Sequence, residues 1–524
     1  MARPKQNNVI VIGSGIGGLS AAVELAAAGM DVTVLEQAYA PGGKLRQLPT
    51  EAGPIDVGPA VLTIRSVFDE LFARAGTRLD EHVTLTAETL LGRHWWQDGS
   101  SLDLFADPDE SARAVADFAG NEARQEFIAF SAKARRLFEA FNEPVMQNPV
   151  PGLAALGKTV LRDIRTLLPA MAPTQTMAQC IEKSFSDPRL RQLFGRYATH
   201  AGGSPYSSPA FLSLIWDVKS RDVWRVKGGV ISLAKALEKV ARERGAHFRY
   251  GTEVETILVE RNRVVGVVLD TGERIESERV LFNGDPAALT RGILGRGTRR
   301  AIKQSTALPR ALSAYIWAFA AKPSGVDLLH HNVFFGKDQR NEFDALARGD
   351  IPDDPTLCLC APDRAESATP IEAERLEIVM NGAPVEENAP SIDGEYAQCR
   401  ARTFDTLQGM NLSFDVIPER TALITPSDLA LRFPGSNGSM FGRSPDGLRG
   451  TFQCATTRSR IPGLYLAGGG VHLGTGMPMA SMSGRHAAEA ILADNAAAPR
   501  ASRTMASSTA SSMIANGPPQ SSSP

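Results

Sequence analysis

The sequence predicts an α/β protein, a parallel-sheet domain with a mixed α+β domain inserted into it. Three observations carry that expectation. Asn8 to Glu36 reads as strand, glycine turn, helix and second strand, its apolar pattern switching from a continuous run to a helical one and back. Arg460 to Arg485 repeats strand, glycine loop and helix at the far end of the chain. The long stretch between mixes helical and β-rich runs, and 524 residues at roughly 150 per domain make two large domains or three.

The first unit specifies its elements in order. Asn8-Val-Ile-Val-Ile12 is the buried first strand, and Gly13-Ser-Gly15-Ile-Gly-Gly18 turns the chain. Leu19 to Ala28 is an Ala-rich helix, Gly29 stops it, and Asp31 to Glu36 is the second strand. In such a unit Gly13 permits the tight turn, Gly15 lets backbone approach a pyrophosphate, and Gly18 lets the helix pack on the strand. Free N–H groups and the positive dipole end at the helix start favour the phosphates. Glu36 can accept from both ribose hydroxyls and would repel a 2′-phosphate, so the pattern points to a dinucleotide other than NADP in a Rossmann-like domain.

FAD and NAD both use this unit, and the rest of the chain favours FAD. Ala40-Pro-Gly-Gly43-Lys44-Leu-Arg46 supplies a second glycine pair where an NAD half-domain would continue through regular βα units. Asp56-Val-Gly-Pro59 adds another rigid turn. The C-terminal loop, with Gly469 and Gly470, leads into a helix starting near Met477, whose dipole would face whatever the loop cradles. A flavin ring gains negative charge at its edge on reduction, and such a dipole favours it.

Composition narrows the function further. Lysine and arginine total 56 against 58 acidic residues, a net charge of −2 that gives nucleic acid no general attraction. The five cysteines lack paired metal-ligand or disulfide spacing and read as reduced thiols, with Cys358 and Cys360 on alternating strand positions; no metal is expected. MARPKQNN is too polar for an export signal, and Ile461 to Gly484 holds too many glycines for a membrane-crossing helix, so a cytoplasmic location is expected. Residues 495–524 are dominated by Ala, Ser and Pro and are expected to be a disordered tail.

These residues resemble the flavin-dependent carotenoid desaturases, relatives of phytoene desaturase and, more distantly, of amine oxidases. The resemblance rests on Gly13 to Gly18 with Glu36, Pro41-Gly-Gly43, Asp56-Val-Gly-Pro59, Lys227-Gly-Gly229 opening a helix, Asn283-Gly-Asp-Pro286, and Leu464 to Gly484 with His472 and Pro478. Leu473 stands where that last block usually has proline. Gly58 to Phe72 and Met479 to Arg485 look most like the hydroxy- and methoxyneurosporene desaturases of purple phototrophic bacteria.

The resemblance implies FAD held by Gly13, Gly15, Gly18, Glu36, Gly43, Lys44, Gly469, Gly470 and Met477. It implies removal of two hydrogens from an acyclic carotenoid, most specifically to place a 3,4 double bond in a 1-hydroxy or 1-methoxy substrate, with oxygen or a quinone taking the electrons. His472, in the glycine block, either takes the proton or polarises the flavin, or only hydrogen-bonds its loop. Arg65 is the guess for a group meeting the substrate oxygen, a solvated surface arginine being its plainer reading. Phytoene desaturation is the alternative. More remote ones are an amine oxidase-like enzyme, which would need an aromatic cage, and a lipid-escort module without flavin.

The implied organisation is bipartite: residues 5–75, 222–300 and 410–494 in the FAD domain, 76–221 and 301–409 in the substrate domain. The first takes strands over Ala246–Tyr250, Glu253–Arg261 and Arg263–Asp270; the second takes a helix over Asp109–Phe141 and strands over Ala311–Ala321 and Leu376–Met380. A carotenoid is an apolar rod of roughly forty carbons, worth about 0.8 kcal/mol per buried CH₂, so an apolar tunnel suits it. Such a substrate lives in a bilayer, and Pro151 to Met171 offers a basic amphipathic helix for peripheral attachment to the inner membrane. Leu153, Leu156, Val160, Ile164, Leu167, Leu168 and Met171 share one face, and Lys158, Arg162 and Arg165 gather opposite; packing on its own domain is the other reading.

Overall fold

The computed structural model describes residues 7–150, 152–366, 372–386, 394–472 and 475–497. Its nucleotide-side layer is a five-stranded parallel sheet in the order His247–Arg249, Asp31–Leu35, Asn8–Ile12, Val280–Phe282 and Leu464–Leu466. The opening and closing units of the chain therefore lie in one sheet, joined through Val280–Phe282. The helices Ile16–Ala27, Ile231–Glu243 and Met477–Ala497 contribute to the same apolar core as its strands.

The first helix begins at Ile16, three residues before the sequence pattern starts it, because Gly17 and Gly18 are themselves helical. A Cβ on Gly484 would stand 2.1 Å from the Gly17 carbonyl oxygen, so the first and last helices meet at a distance only glycine permits. The last helix carries on through Asn495–Ala497, which corrects the boundary of the expected tail; residues 498–524 lie outside the described set, as does Leu473.

The second layer is a seven-stranded mixed sheet in the order Leu423–Ile424, Ser313–Ala321, Glu374–Gly382, Leu357–Cys360, His331–Phe334, Leu90–Trp95 and Ser101–Phe105. One face carries Tyr315, Trp317, Phe319, Leu357, Leu359, Leu376, Ile378 and Met380 and packs against the helix Glu395–Gly409 through Phe404 and Leu407. Period-two alternation then places Ala314, Cys358, Cys360, Glu377, Val379 and Asn381 on the opposite face. Leu412–Phe414 and Leu423–Ile424 pair with Pro323–Gly325 and Ser313–Ala321, so the second layer extends past residue 410. Leu85–Ala87 pairs with Val223–Val226, so strands on either side of the expected boundaries near 75 and 222 share one small sheet.

Pro108–Phe141 is helical as expected, interrupted at Gly120, whose φ of 91° breaks the ladder. The segment after it departs from its sequence pattern. Instead of one amphipathic helix there are two, Leu153–Arg162 and Ile164–Met171, broken at Asp163. Asp163 is extended away from helical φ/ψ, and its side chain accepts from Thr166 N–H to cap the second helix. Asp163→Ala should lower stability by about 1 kcal/mol, read from chemical denaturation, and an unchanged midpoint would show that the cap is idle.

The break divides the apolar face. Leu156, Val160, Leu167 and Met171 are buried, whereas Leu161 (71 % exposed), Ile164, Leu168 and the preceding Val150 (67 %) face solvent beside exposed Lys158, Arg162 and Arg165. Pro151 and the side chain of Leu153 lie outside the described set. Packing on its own domain thus accounts for four of the expected seven face residues, and Leu161 joins the exposed set that the periodicity had missed.

Candidate flavin and substrate site

The glycine turn is tied into place from several directions. Gly13, at φ 95°, donates its N–H to Leu35 O at 2.8 Å, while Gly15, at φ −68°, sits at the helix start in an ordinary conformation. A Cβ on Gly18 would lie 2.2 Å from Gly13 O, so that glycine serves the close packing expected of it. Glu36 is buried and accepts from Ser14 N–H at 2.7 Å, Ser14 Oγ at 2.9 Å and Ala38 N–H at 2.9 Å. The second glycine pair docks on the first turn, Gly42 N–H donating to Ser14 O.

Two further motifs explain each other. The Asp56 carboxylate accepts from Val230 N–H at 2.7 Å, at the start of the helix Ile231–Glu243, and a Cβ on Gly229 would collide with that carboxylate. Asp56-Val-Gly-Pro59 and Lys227-Gly-Gly229 are thus one helix-start contact read twice in the sequence. Asn283 follows Val280–Phe282, donates from Nδ2 to Ala467 O and lies beneath Gly13, Gly15, Gly17 and Gly18. Its Oδ1 is buried without a hydrogen-bond partner.

Two hollows adjoin these turns. A groove of about 790 Å³ is lined by Glu36 to Pro41, Gly43, Leu45 and Arg46. A cavity of about 490 Å³ reaches Gly469, Gly470, His472 and Met477 on one side and the second sheet on the other. A Cβ on Gly469 would meet nothing within 4 Å, and the helix Met477–Ala497 starts at the expected residue. The Glu36 carboxylate held beside the groove and the open space at Gly469 beside the cavity fit an elongated dinucleotide running from one hollow to the other.

Three expected site residues are engaged elsewhere. Lys44 Nζ donates to Ser439 O at 3.1 Å and Met440 O at 2.7 Å, and burial lowers its pKa to about 8. His472 lines the cavity, but its Nε2 lies 2.8 Å from Asn148 O, a carbonyl that only accepts, so that nitrogen carries hydrogen and is not open to a proton. Arg65 is corrected outright. Its guanidinium is held by Asp69 and by both oxygens of Asp80, stacks 4.8 Å from the Trp224 ring, and is not among the cavity residues.

The sequence reading missed the polar groups in the cavity. Arg196, His200, Lys219, His331, Cys358, Cys360 and Glu377 all line it, among apolar walls from Phe141, Val145, Leu156, Phe211 and Leu214. Burial holds His200 and His331 well below the ordinary histidine range and lowers Lys219 to about 8, so both imidazoles are neutral at pH 7. Arg196 Nη2 donates to Cys358 Sγ. His331 and Cys360 are direct cross-strand partners, as are Cys360 and Glu377. The signal available in the sequence was the alternation itself, Leu-Cys-Leu-Cys360 and Glu377-Ile-Val379, which marks one face as different without saying what it faces.

The family profile described as flavin-containing amine oxidoreductase matches residues 16–323. The chain is 48 % identical to a hydroxyneurosporene desaturase of Cereibacter sphaeroides, over 94 % of this chain and 99 % of the relative. It is 47 % identical to one of Rhodobacter capsulatus over the same shares. This chain belongs to the carotenoid desaturases of the flavin-containing amine oxidoreductase family. It is a flavin-dependent oxidoreductase, and its cofactor is FAD. The fold also matches the crystal structure of an oxidoreductase from Methanosarcina mazei at TM-score 0.59 and 14 % identity, covering 92 % of this chain and 100 % of that one. In this desaturase the nucleotide-side turns and part of the cavity wall come from two different sheets.

Proposed function

We propose that the protein introduces the 3,4 double bond into 1-hydroxy- or 1-methoxy-carotenoids of the neurosporene type. The observation that carries this reading is the near-half identity, over nearly the full length of both chains, to relatives named hydroxyneurosporene desaturase. The mostly apolar cavity reaching Gly469, Gly470 and Met477 suits such a substrate. Bound FAD supplies the two-electron acceptor for the hydrogens removed. The chain's own part is to hold the cofactor through Gly13, Gly15, Gly18, Glu36, Gly43, Gly469, Gly470 and Met477, to align the polyene, and to keep water out. Lys44 and His472 act as supports, Lys44 through the carbonyls of 439 and 440 and His472 through that of 148.

The substrate is taken from lipid by peripheral attachment on the cytoplasmic side of the inner membrane, and the electrons pass on to a quinone or oxygen. Among the described residues no helix is long and apolar enough to cross a membrane. The attachment surface is Val150, Leu161, Ile164 and Leu168 with Lys158, Arg162 and Arg165.

The test is turnover by FAD-loaded protein in liposomes containing 1-hydroxyneurosporene, its methoxy counterpart, neurosporene or phytoene. A red-shifted polyene band is expected for the oxygenated substrates, with a preference over phytoene of roughly tenfold or more. Efficient phytoene desaturation with no action on the oxygenated substrates would replace this reading by phytoene desaturase and leave the flavin chemistry in place.

A further inference from the structure

A substrate that differs from a plain carotene by one oxygen, placed two carbons from the bond being desaturated, needs a polar partner close to the reacting end of the cavity. Glu377 lies in the wall of the cavity that also reaches Gly469, Gly470 and Met477. Gly43 lies against Gly15, where a Cβ would come within 3.1 Å of Gly15 Cα. Lys44 O lies against Gly58, 2.8 Å from where a Cβ would stand, and Gly58 N–H donates to Glu377 Oε1 at 3.0 Å. The contacts thus lead from the pyrophosphate turn to the Glu377 carboxyl, which is 4 % exposed and lines the cavity. Among the described residues no donor reaches its other oxygen.

We propose that Glu377 is the specificity-determining residue, its carboxyl donating a hydrogen bond to the terminal oxygen of the substrate while Gly58 N–H holds the other carboxyl oxygen. The proposal rests on the hydroxycarotenoid reading above.

The chemistry suits both substrate types. A methoxyl oxygen only accepts, whereas a hydroxyl accepts and donates, so a group that serves both must donate, as a protonated carboxyl does. Burial, with the nearby Asp56 charge adding to it, raises the Glu377 carboxyl to about 8, which keeps it protonated at pH 7. Ionisable groups around it are Asp56 on the strand Ile55–Asp56, Cys360 across the strand pair, whose thiol burial keeps neutral, and Arg375 two residues away on the same strand face, whose guanidinium is held by Asp363. His200 and His331 also present buried ring nitrogens without partners, but both stand beside Lys219 and Arg196. Cations are poor neighbours for a polyene that gains positive character as hydride leaves.

The experiment compares wild type, Glu377→Gln and Glu377→Leu, each loaded with FAD, on 1-hydroxyneurosporene, 1-methoxyneurosporene and neurosporene in liposomes. Glu377→Leu should lose roughly tenfold to a hundredfold in kcat/KM on both oxygenated substrates and under about threefold on neurosporene. Their Kd values, read from the polyene absorption band, should weaken in parallel. Glu377→Gln, which keeps a donor, should stay within about threefold of wild type.

In wild type the ratio of methoxy to hydroxy turnover should fall above pH about 8, because the carboxylate no longer donates; Glu377→Gln should show no such fall. Using the ratio cancels any titration of the flavin itself. A Glu377→Leu enzyme that still prefers oxygenated substrates, a preference lost only in His200→Ala, or a flat wild-type ratio would each overturn the proposal. Should Glu377→Leu fail to hold flavin, the pH ratio and the Gln variant decide. A wild type that converts neither oxygenated substrate would instead refute the substrate reading on which it stands.

Discussion

Gly15→Val is expected to abolish flavin binding and turnover together. Gly15 has φ −68°, so valine meets no backbone prohibition there, and the effect must come from the space around it. A Cβ would stand 2.9 Å from buried Asn283 Oδ1, forcing the side chain beneath the turn to shift and displacing the backbone N–H groups that a pyrophosphate would meet. Flavin absorbance retained after gel filtration should fall below about a tenth of wild type. Circular dichroism and the melting profile of flavin-stripped samples should nearly coincide with those of stripped wild type. A fully occupied Gly15→Val protein would remove the glycine turn from the cofactor site. Gly13→Val makes a useful contrast. At φ 95° it strains the chain itself, and its damage should appear in the stripped protein as well.

The same distinction, between what local geometry dictates and what the tertiary fold decides, governs how much could be read from the sequence. Asn8–Ile12, the turn and Glu36 are legible locally: Gly13 takes a positive φ and Gly18 packs on Gly13 O within the unit, whereas Gly15 and Gly17 are crowded by Asn283 and Gly468 from far along the chain. The start of the last helix at Met477 is legible for the same reason. Asp56 and Gly229 carried a signal without a mechanism, since the contact joining them spans well over a hundred residues. Glu377 carried only the alternation of its strand as a signal. Its strand buries one face and leaves Arg375, Val379 and Asn381 on the other only part-buried, so a carboxyl between Leu376 and Ile378 reads as ordinary alternation until the sheet shows that one face is a core and the other a cavity. Arg65 was misplaced because an arginine in a subgroup-like stretch says nothing about Asp80, fifteen residues on, which binds it at the surface.

The segment after Asn148 shows the limit most directly, and it yields the second large effect. Leu161→Glu, Ile164→Glu and Leu168→Glu, combined, should weaken association with anionic liposomes roughly a hundredfold, on the basis of about 1 kcal/mol for each partly immersed apolar side chain. All three are exposed, so the melting temperature should barely move. Leu156→Ala or Leu167→Ala should do the reverse, costing about 2–5 kcal/mol of stability with little effect on lipid binding, because both side chains are buried. Lys158, Arg162 and Arg165 add about 1 kcal/mol each on an anionic surface, so wild-type binding should decline as salt rises. Leu156 also lines the cavity together with Val145 and Met146, so one turn of chain separates the exposed patch from the interior that the polyene must reach. Turnover of liposomal substrate should therefore collapse in the triple variant while turnover of detergent-dispersed substrate survives. Equal loss in both would mean that the patch belongs to the fold rather than to the membrane.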